Sequence, residues 1–289
     1  MTSSQFIFGL LFISLTGAHE LNHFPENFVV AKRNDPNPVT LTCGANTGEA
    51  VIWKFDGEEM EFTGPNLNMS EVDIPMLGDY SCWSEGVKLS STYLLLQAEG
   101  GEELESLVRC RAKSYDCNFS CKWTHSEYTA VRLGLGHECS EGEKSCHWVS
   151  HNSDGGFQFE LSHSLSPYTE ESTMLELTAE AISDLFILRK TKRFYLRDII
   201  QPDSPKIVRC EKGEQGLNVT IDPPSSWSTP HSFFTLEHEI EYVLKDNGKT
   251  GRSSSGLIPK GISKLRARSR DSLVLSDWSK WTPWKNVTY

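Results

Sequence analysis

The stretch "SDWSKWTPW" (residues 276–284) places three of the chain's eight tryptophans at a spacing of three residues. A β-strand repeats every two residues and an α-helix every 3.6, so neither puts all three rings on one face. A polyproline II segment does, because three residues make one turn. We therefore expect Trp278, Trp281 and Trp284 to form one row, which needs a second surface to cover it.

The preceding stretch "KLRARSR" supplies such a surface. If it forms a strand, Lys264, Arg266, Arg268 and Arg270 project from one side. A guanidinium group lying on an indole face gains about 0.5–2 kcal/mol. We predict that the two rows interleave and stabilise the last part of the chain. The alternative is a solvated or heparin-binding face of basic side chains.

The first part of the chain alternates apolar and polar residues in "VTLTC" and "VIWKF", as half-buried strands do. The spacing of Cys43, Trp53 and the pair Tyr80 and Cys82 resembles an immunoglobulin domain. That resemblance implies a disulfide between Cys43 and Cys82, packed against Trp53. One departure is Met76, which stands where such domains usually carry an acidic residue, so we expect the familiar corner salt bridge to be absent.

The Gly- and Glu-rich segment "QAEGGEELES" (97–106) reads as a linker to a second module. Beyond it, "CRAKSYDCNFSCKW" contains Cys110 and Cys121, with Trp123 two residues later. This arrangement resembles the first disulfide hairpin of the cytokine-receptor homology region. The alternative is a disulfide that only closes a loop.

The eight cysteines fit an oxidising compartment, where most of them would pair with each other. The cytokine-receptor resemblance implies a second pair between Cys139 and Cys146. Cys117 and Cys210 are left without an assigned partner. They can bridge each other, bridge another protein or stay free.

Prolines at positions 202 and 205 in "RDIIQPDSPKIV" fit a rigid elbow into a third module. Strand-like runs follow in "LNVTI" and "HEIEYVL", whereas "SPYTEESTMLELTAEAIS" (166–183) fits a helix or a strand. We predict an all-β chain, with an immunoglobulin-like sandwich followed by two fibronectin type III sandwiches. The predicted parts are a signal peptide (1–18), the immunoglobulin-like domain (19–98) and the two fibronectin domains (99–201 and 202–289).

The apolar run "FIFGLLFISL" followed by "TGA" predicts a signal peptide that is cleaved after Ala18, and hence a secreted, extracellular protein. No later stretch is apolar enough for a membrane anchor, so we expect no membrane insertion. Sequons for N-glycosylation agree with secretion. Their asparagines are Asn68, Asn118, Asn218 and Asn286.

The formal net charge of −11 is unevenly distributed. Residues 19–98 contain 4 basic and 12 acidic residues (−8), residues 99–201 contain 11 and 17 (−6), and residues 202–289 contain 13 and 10 (+3). A mainly acidic chain argues against nucleic acid as a partner.

The segment "HELNH" (residues 19–23) matches the zinc-protease pattern, in which two histidines bind the metal and a glutamate activates water. That chemistry needs a stable helix beneath the ligands. Here the motif starts at the predicted cleavage site and Pro25 follows it, so no helix is expected. We expect no metal, no cofactor and no enzymatic activity, and keep a zinc metalloprotease as a remote alternative.

The tryptophan segment "WSKWT" resembles the WSxWS ladder of class I cytokine receptors, with Thr282 in place of the final serine. The whole architecture, together with "RDIIQPDSPK" and "SWSTPHSFF", resembles the beta-subunit family shared by interleukin-12 and interleukin-23. The resemblance implies a heterodimeric cytokine whose elbow binds a four-helix-bundle alpha subunit. The first domain would bind a class I cytokine receptor chain that signals.

The sequence also fits two other functions. A soluble alpha-type class I cytokine receptor, or a decoy, has the same modules but binds its cytokine reversibly. A homodimer that acts as an antagonist is the other possibility.

The resemblance also implies a binding site in which aromatic side chains and an acidic pocket receive an arginine of the helical partner. Matched motif by motif, that site comprises Tyr115, Glu170, Phe233, Asp271 and Ser272. The cysteine that joins the subunits of this family is replaced by Ser166. We therefore expect the subunits to associate without a disulfide at that position.

Overall fold

The computed structural model describes residues 21–44, 50–150 and 156–287. The described residues form two compact units: those up to 98 together with 182–187, and those from 99 to 181 together with those from 188 onward. Strands dominate both units, which confirms the all-β class and its sandwich architecture. The finer division at residues 201 and 202 stays a prediction.

The strands of the first unit form two sheets. The strands are β1 (Phe28–Ala31), β2 (Val39–Thr42), β3 (Ile52–Phe55), β4 (Glu58–Thr63), β5 (Asn66–Met69), β6 (Gly78–Ser84) and β7 (Val87–Gln97), with a 3-10 helix at Ile74–Met76. One sheet has the order β4-β3-β6-β7, with β1 parallel to β7, and the other pairs β2 with β5.

Trp53 lies at the centre of the first unit's core, with 1% of its surface exposed. Its indole N–H donates to the Gly64 carbonyl (2.8 Å), and the disulfide between Cys43 and Cys82 lies in the same core. The Tyr80 hydroxyl donates to the backbone carbonyl of Met76 (2.7 Å). The tyrosine corner is thus held by a backbone hydrogen bond that needs no acidic side chain at position 76.

Between residue 99 and the elbow the chain forms two short α-helices and the strands of two sheets, and residues 182–187 within it belong to the first unit. These elements are α1 (Leu104–Leu107), β8 (Val108–Arg111), β9 (Asn118–Trp123), β10 (Ala130–Leu135), α2 (His137–Ser140), β11 (Trp148–Ser150), β12 (Gln158–Ser162), β13 (Leu175–Ser183) and β14 (Phe186–Phe194), followed by a 3-10 helix at Leu196–Ile199. The strand orders are β12-β9-β8 and β11-β10-β13-β14.

The rest of the second unit adds two further sheets. Their strands are β15 (Lys206–Lys212), β16 (Leu217–Asp222), β17 (Leu236–Leu244), β18 (Thr250–Ser253), β19 (Leu257–Ile258), β20 (Ile262–Asp271) and β21 (Lys285–Asn286). The orders are β15-β16-β19 and β18-β17-β20-β21. Leu217, Ile240 and Leu265, each at most 1% exposed, form the core between them.

The segment at 166–183, for which the sequence left helix and strand open, contains strand β13. The second unit contains disulfides between Cys110 and Cys121 and between Cys139 and Cys146. Cys117 is a free, exposed cysteine, and Cys210 is free and half-buried.

Several sequence-based predictions concern the chain's first residues. The signal peptide, and His19 and Glu20 of "HELNH", lie outside the described residues.

The four sequon asparagines, Asn68, Asn118, Asn218 and Asn286, are all exposed. Across the described part of the chain, no helix has the length and apolar character needed to span a bilayer.

Candidate functional site

The predicted rows of arginines and tryptophans interleave on the last sheet. The Arg268 guanidinium lies 4.6 Å from the Trp278 ring centre and 4.5 Å from that of Trp281. Arg266 lies in the same way between Trp281 (4.7 Å) and Trp284 (4.5 Å). The outer contacts are Arg270 on Trp278 (4.6 Å), Lys264 on Trp284 (4.8 Å) and Arg252 on Trp281 (5.8 Å). We call this arrangement the Trp–Arg ladder.

A row of glutamates on β17 balances the charge of the ladder. Glu241, Glu239 and Glu237 lie directly opposite Arg266, Arg268 and Arg270 across the strand pair. Arg266 and Arg268 each donate from Nε to their glutamate at 2.6 Å, and Arg270 forms an ion pair with Glu237. The arginines are therefore neutralised inside the protein, which argues against a free basic face.

The hydroxyl groups between the tryptophans bind the edge of β20. Ser279 and Thr282 exchange hydrogen bonds with the backbone of Ser269 and Ala267, through both their amides (2.8 Å) and their side-chain oxygens (3.0 Å). Thr282 thus does what a serine would do at the end of a WSxWS motif. These bonds fix the height of each indole ring against its guanidinium.

A groove of about 370 Å³ lies elsewhere in the same unit, at the elbow. Aromatic rings form its wall: Phe234 stacks on Tyr115 (5.5 Å between centres) and touches Phe233 (4.9 Å), and Tyr168 touches Phe233 (5.8 Å). The lining residues are Tyr115, Leu165, Ser166, Pro167, Tyr168, Thr169, Glu170, Glu171, Leu196, Arg197, Phe233, Phe234, Asp271, Leu273 and Val274. We call this site the elbow groove.

Tyr115 is held at both ends by residues from the far side of the elbow. Its backbone N–H donates to the Ser228 hydroxyl (3.0 Å), and its own hydroxyl donates to Oδ2 of Asp271 (3.0 Å). Burial, followed by the negative charge of Asp271, raises the pKa of Tyr115 well above its usual value, so the phenol stays protonated and remains a donor.

Arg111 fixes the backbone of the elbow itself. Its guanidinium donates to the carbonyls of Gln201 (2.9 Å) and Pro202 (2.8 Å) and forms an ion pair with Asp203 (2.7 Å). Asp203 also accepts from the Ser226 hydroxyl (2.8 Å). One planar cation therefore binds two carbonyls and a carboxylate of the elbow, which restrains the backbone there.

The carboxylates of the groove fall into two classes. Glu171 accepts from the backbone amides of Leu196 and Arg197 and pairs with the Arg197 side chain, so it is used internally. Glu170 is exposed, and within the described residues it forms no ion pair. Asp271 is only 1% exposed but reaches the groove, with Oδ1 accepting from the amides of Leu273 (2.7 Å) and Val274 (3.1 Å).

The family model and the curated proteins that match this chain agree with each other. Residues 105–183 match the family model described as the C-terminus of cytokine interleukin-12p40. The chain is 28% identical to the interleukin-12 subunit beta of Ovis aries over 276 residues, which is 84% of each chain. It is 28% identical to the Sus scrofa protein of that name over 275 residues and 27% identical to the Homo sapiens protein over 277, again covering 84% of each chain.

The chain is similar to the interleukin-12 beta subunits over most of its length. The resemblance that its motifs indicated is therefore confirmed. These relatives are cytokine subunits and not enzymes, which removes the support for a metalloprotease. Among the described residues no group of His, Cys, Asp and Glu side chains has the geometry to hold a metal ion.

Of the residues matched to the interleukin-12 beta site, four line the elbow groove: Tyr115, Glu170, Phe233 and Asp271. Ser272 does not line it. Its hydroxyl donates to the Thr235 carbonyl (3.1 Å), which turns the side chain back onto its own sheet. Ser166, where the resemblance implied the loss of a linking cysteine, is exposed in the groove.

Motif matching missed the larger apolar part of the groove. Tyr168, Leu273 and Val274 line it with 61%, 75% and 38% of their surfaces exposed. One signal was available in the sequence, because the apolar run "LVL" (273–275) begins two residues after Asp271, in a loop where it has no core to enter. The glutamate row was also visible as alternation in "LEHEIEYVL", although only the strand pairing shows that it faces the arginines.

Proposed function

We propose that this chain is the secreted beta subunit of a heterodimeric cytokine, that it binds a four-helix-bundle alpha subunit in the elbow groove, and that its first unit binds a class I receptor chain that signals. The relatives' name, interleukin-12 subunit beta, describes one subunit of an assembled cytokine and supports this proposal. The observation that carries it is the elbow groove, a preformed aromatic site with an acidic floor.

The apolar side chains of the elbow groove are a strong argument for a protein partner. Tyr168, Phe233 and Leu273 expose half or more of their surfaces within one site. Contiguous apolar patches of this kind usually mark an interface, and aromatic residues tend to dominate its energy. A helix that placed apolar residues along the groove would remove them from water.

The charge of the groove favours a basic partner. Glu170 and Asp271 lack a cationic side chain within the described residues, whereas Arg197 already pairs with Glu171. The Asp271 carboxylate lies beside the Tyr115 hydroxyl at the base of an aromatic wall, where water is largely excluded. An arginine of the alpha subunit would form charge-assisted hydrogen bonds there, since a guanidinium group suits a carboxylate geometrically.

The test is co-expression with helical alpha subunits of the same organism. We expect one of them to be co-secreted with this chain as a single species that gel filtration does not separate and that needs no disulfide at Ser166. The variant Phe233→Ala should weaken assembly at least tenfold. Leu257→Ala, which truncates a side chain that is 42% exposed on β19, should leave assembly unchanged.

Because position 166 has no cysteine to form a disulfide, the chain also fits one alternative function. That alternative is a soluble receptor or decoy that binds its cytokine reversibly. Binding only to a separately supplied, complete cytokine, without co-secretion, would favour that alternative. A chain that is secreted as a homodimer and loses the dimer on Phe233→Ala would show self-association instead. Either result would contradict the heterodimer.

A further inference from the structure

A second apolar site lies in the first unit, at the open edge of its core. It has a volume of about 330 Å³ and lies between the β3–β4 hairpin, β5 and the 3-10 helix at Ile74–Met76. Phe55, Leu67 and Tyr80 contribute to its floor, together with methionine side chains. The sandwich therefore leaves part of its apolar interior accessible from outside.

Methionine is concentrated at this site. The chain contains five methionines, and Met60, Met69 and Met76 all line the same cavity. Met69 is 7% exposed, and Met60 and Met76 are half-buried against the core. Unbranched, polarisable side chains adapt to the shape of an incoming group, and for this reason methionine is frequent at binding surfaces. We call this site the Met pocket.

The floor of the Met pocket is rigid, although its walls are adaptable. The rings of Phe55 and Tyr80 lie 4.8 Å apart, and the Tyr80 hydroxyl is fixed on the Met76 carbonyl (2.7 Å). Burial raises the pKa of Tyr80 to about 12, so this hydrogen bond persists at any physiological pH. A site whose floor is already ordered loses little conformational entropy when it binds.

The rim of the Met pocket is negatively charged. Glu58 and Glu59 line it and are exposed, and neither forms an ion pair within the described residues. Lys54 lies opposite Glu59 in the strand pairing, but its ammonium group lies over the Trp83 ring, 4.6 Å from the centre. With 4 basic and 12 acidic residues in positions 19–98, the whole region attracts cations.

We propose that the Met pocket binds one apolar side chain of a receptor chain, flanked in that receptor by lysine or arginine residues that pair with Glu58 and Glu59. This inference rests on the proposed function only in taking the partner to be a receptor chain. The chemistry of the partner follows from the pocket itself, an adaptable apolar cavity with an unpaired acidic rim.

Charge reversal at the rim tests the proposal. The mature chain, alone and assembled with its alpha subunit, is measured against a panel of class I receptor ectodomains from the same organism. We expect one ectodomain to bind and the double variant Glu58→Lys/Glu59→Lys to weaken it at least tenfold. The matched control Glu26→Lys/Glu71→Lys makes the same charge change at exposed residues of the same unit outside the pocket, and should weaken binding less than threefold.

Methyl labelling of methionine locates the contact directly. On adding the ectodomain, the 13C-methyl resonances of Met60, Met69 and Met76 should shift, and that of Met174, in the second unit, should not. No binding by any ectodomain, equal loss in both double variants, or unshifted pocket resonances would overturn the proposal. So would self-association of the chain that the rim variant abolishes, since the occupant would then be a second copy.

The two proposals fail separately. If no alpha subunit assembles with the chain, the elbow-groove proposal fails, whereas receptor binding by the chain alone still tests the Met pocket. If assembly succeeds and the rim variant has no effect on receptor binding, only the Met pocket is ruled out. A melting temperature for each variant shows that its fold is intact.

Discussion

The Trp–Arg ladder and the elbow groove use the same residue types for opposite purposes. In the ladder, Arg268 lies between two indole rings and also pairs with Glu239, and its side chain is only 22% exposed. In the groove, Phe233 is 50% exposed and Glu170 has no cation beside it within the described residues. Aromatic and charged side chains that satisfy each other stabilise a fold, whereas the same groups left open form a binding site.

We therefore expect variants in the ladder to lower the stability of the fold and variants in the groove to lower the affinity for the alpha subunit. Arg268→Ala should have the largest effect, because it removes two cation–π contacts and leaves the Glu239 carboxylate, 21% exposed, without its partner. We expect a loss of about 3 kcal/mol in the free energy of unfolding, together with reduced secretion. Chemical denaturation of the purified chain measures the first and quantitative blotting of the medium the second.

The control for this variant is Arg209→Ala, which removes an arginine from an exposed ion pair with Glu211 in the same unit. Exposed pairs contribute about 0–1 kcal/mol, so little change is expected. Equal losses for the two variants, or an unchanged melting temperature for Arg268→Ala, would show that the ladder does not stabilise the fold as we describe.

Asp271→Asn tests the one residue that stands at the junction of the two regions. It ends strand β20 of the ladder sheet and faces the groove. The amide keeps an oxygen for the N–H groups of Leu273 and Val274 but loses the charge that would meet an arginine. We expect alpha-subunit affinity to fall by about 2 kcal/mol, roughly thirtyfold, with a smaller change in melting temperature.

Surface plasmon resonance against the alpha subunit measures that affinity. Tyr115→Phe is the informative companion, since it removes the hydroxyl that donates to Asp271 and leaves the aromatic wall in place. If Asp271→Asn lowers the melting temperature as much as Arg268→Ala does and leaves affinity intact, Asp271 serves the fold and not the groove.

The parts of this molecule that follow from local periodicity were predictable from the sequence. Alternation in "KLRARSR" and three-residue spacing in the tryptophan segment indicated the ladder, because each row repeats within one element. The role of Glu239 could not be predicted in this way, since it depends on the register of β17 against β20. The strand at 175–183 was undecided for a related reason: a mostly buried strand loses the alternation that identifies it.

The groove shows the same limit. Tyr115, Glu170, Phe233 and Asp271 could be placed together only through a family resemblance, since they are distant in sequence and meet through the elbow. Position in a motif does not fix the direction of a side chain. Ser272 follows Asp271 directly, yet its hydroxyl bonds to Thr235 and leaves Leu273 and Val274 to line the site.

Trp284→Ala tests the end of the ladder, where closure is least complete. This tryptophan is 37% exposed and contacts Lys264 and Arg266, and Arg266 also has Trp281 and Glu241. We expect a loss of about 1 kcal/mol, smaller than for Arg268→Ala, because its main cation keeps two other partners. Denaturation curves measure this loss. A loss as large as that of Arg268→Ala would mean that the ladder acts as one cooperative unit.

The smallest expected effect is a dependence on pH, and it again separates the two regions. Each has a histidine near it, buried at position 163 and half-buried at position 238. The Nδ1 of His163 accepts from the Leu165 amide at the start of the groove loop (3.2 Å), and the Nδ1 of His238 bonds to the Ser269 hydroxyl beside the ladder (2.6 Å). Burial lowers the pKa of both histidines below the usual value of about 6.5. The Glu171 carboxylate and the backbone of Asp116 partly oppose this at His163.

Because the folded state resists protonation, the unfolded state binds the proton first as the pH falls below about 6.5. Stability should therefore be constant above pH 7 and decrease from about pH 6.5 downward, and the melting temperature should follow it.

An asparagine at either position offers an oxygen where Nδ1 lies but does not titrate. His163→Asn should flatten the decrease and also preserve alpha-subunit binding at pH 5.5, because the loop that begins at Leu165 lines the groove. His238→Asn should flatten the decrease in stability without any effect on alpha-subunit binding. Identical profiles of binding against pH for the two variants would show that acid acts on the groove through neither histidine.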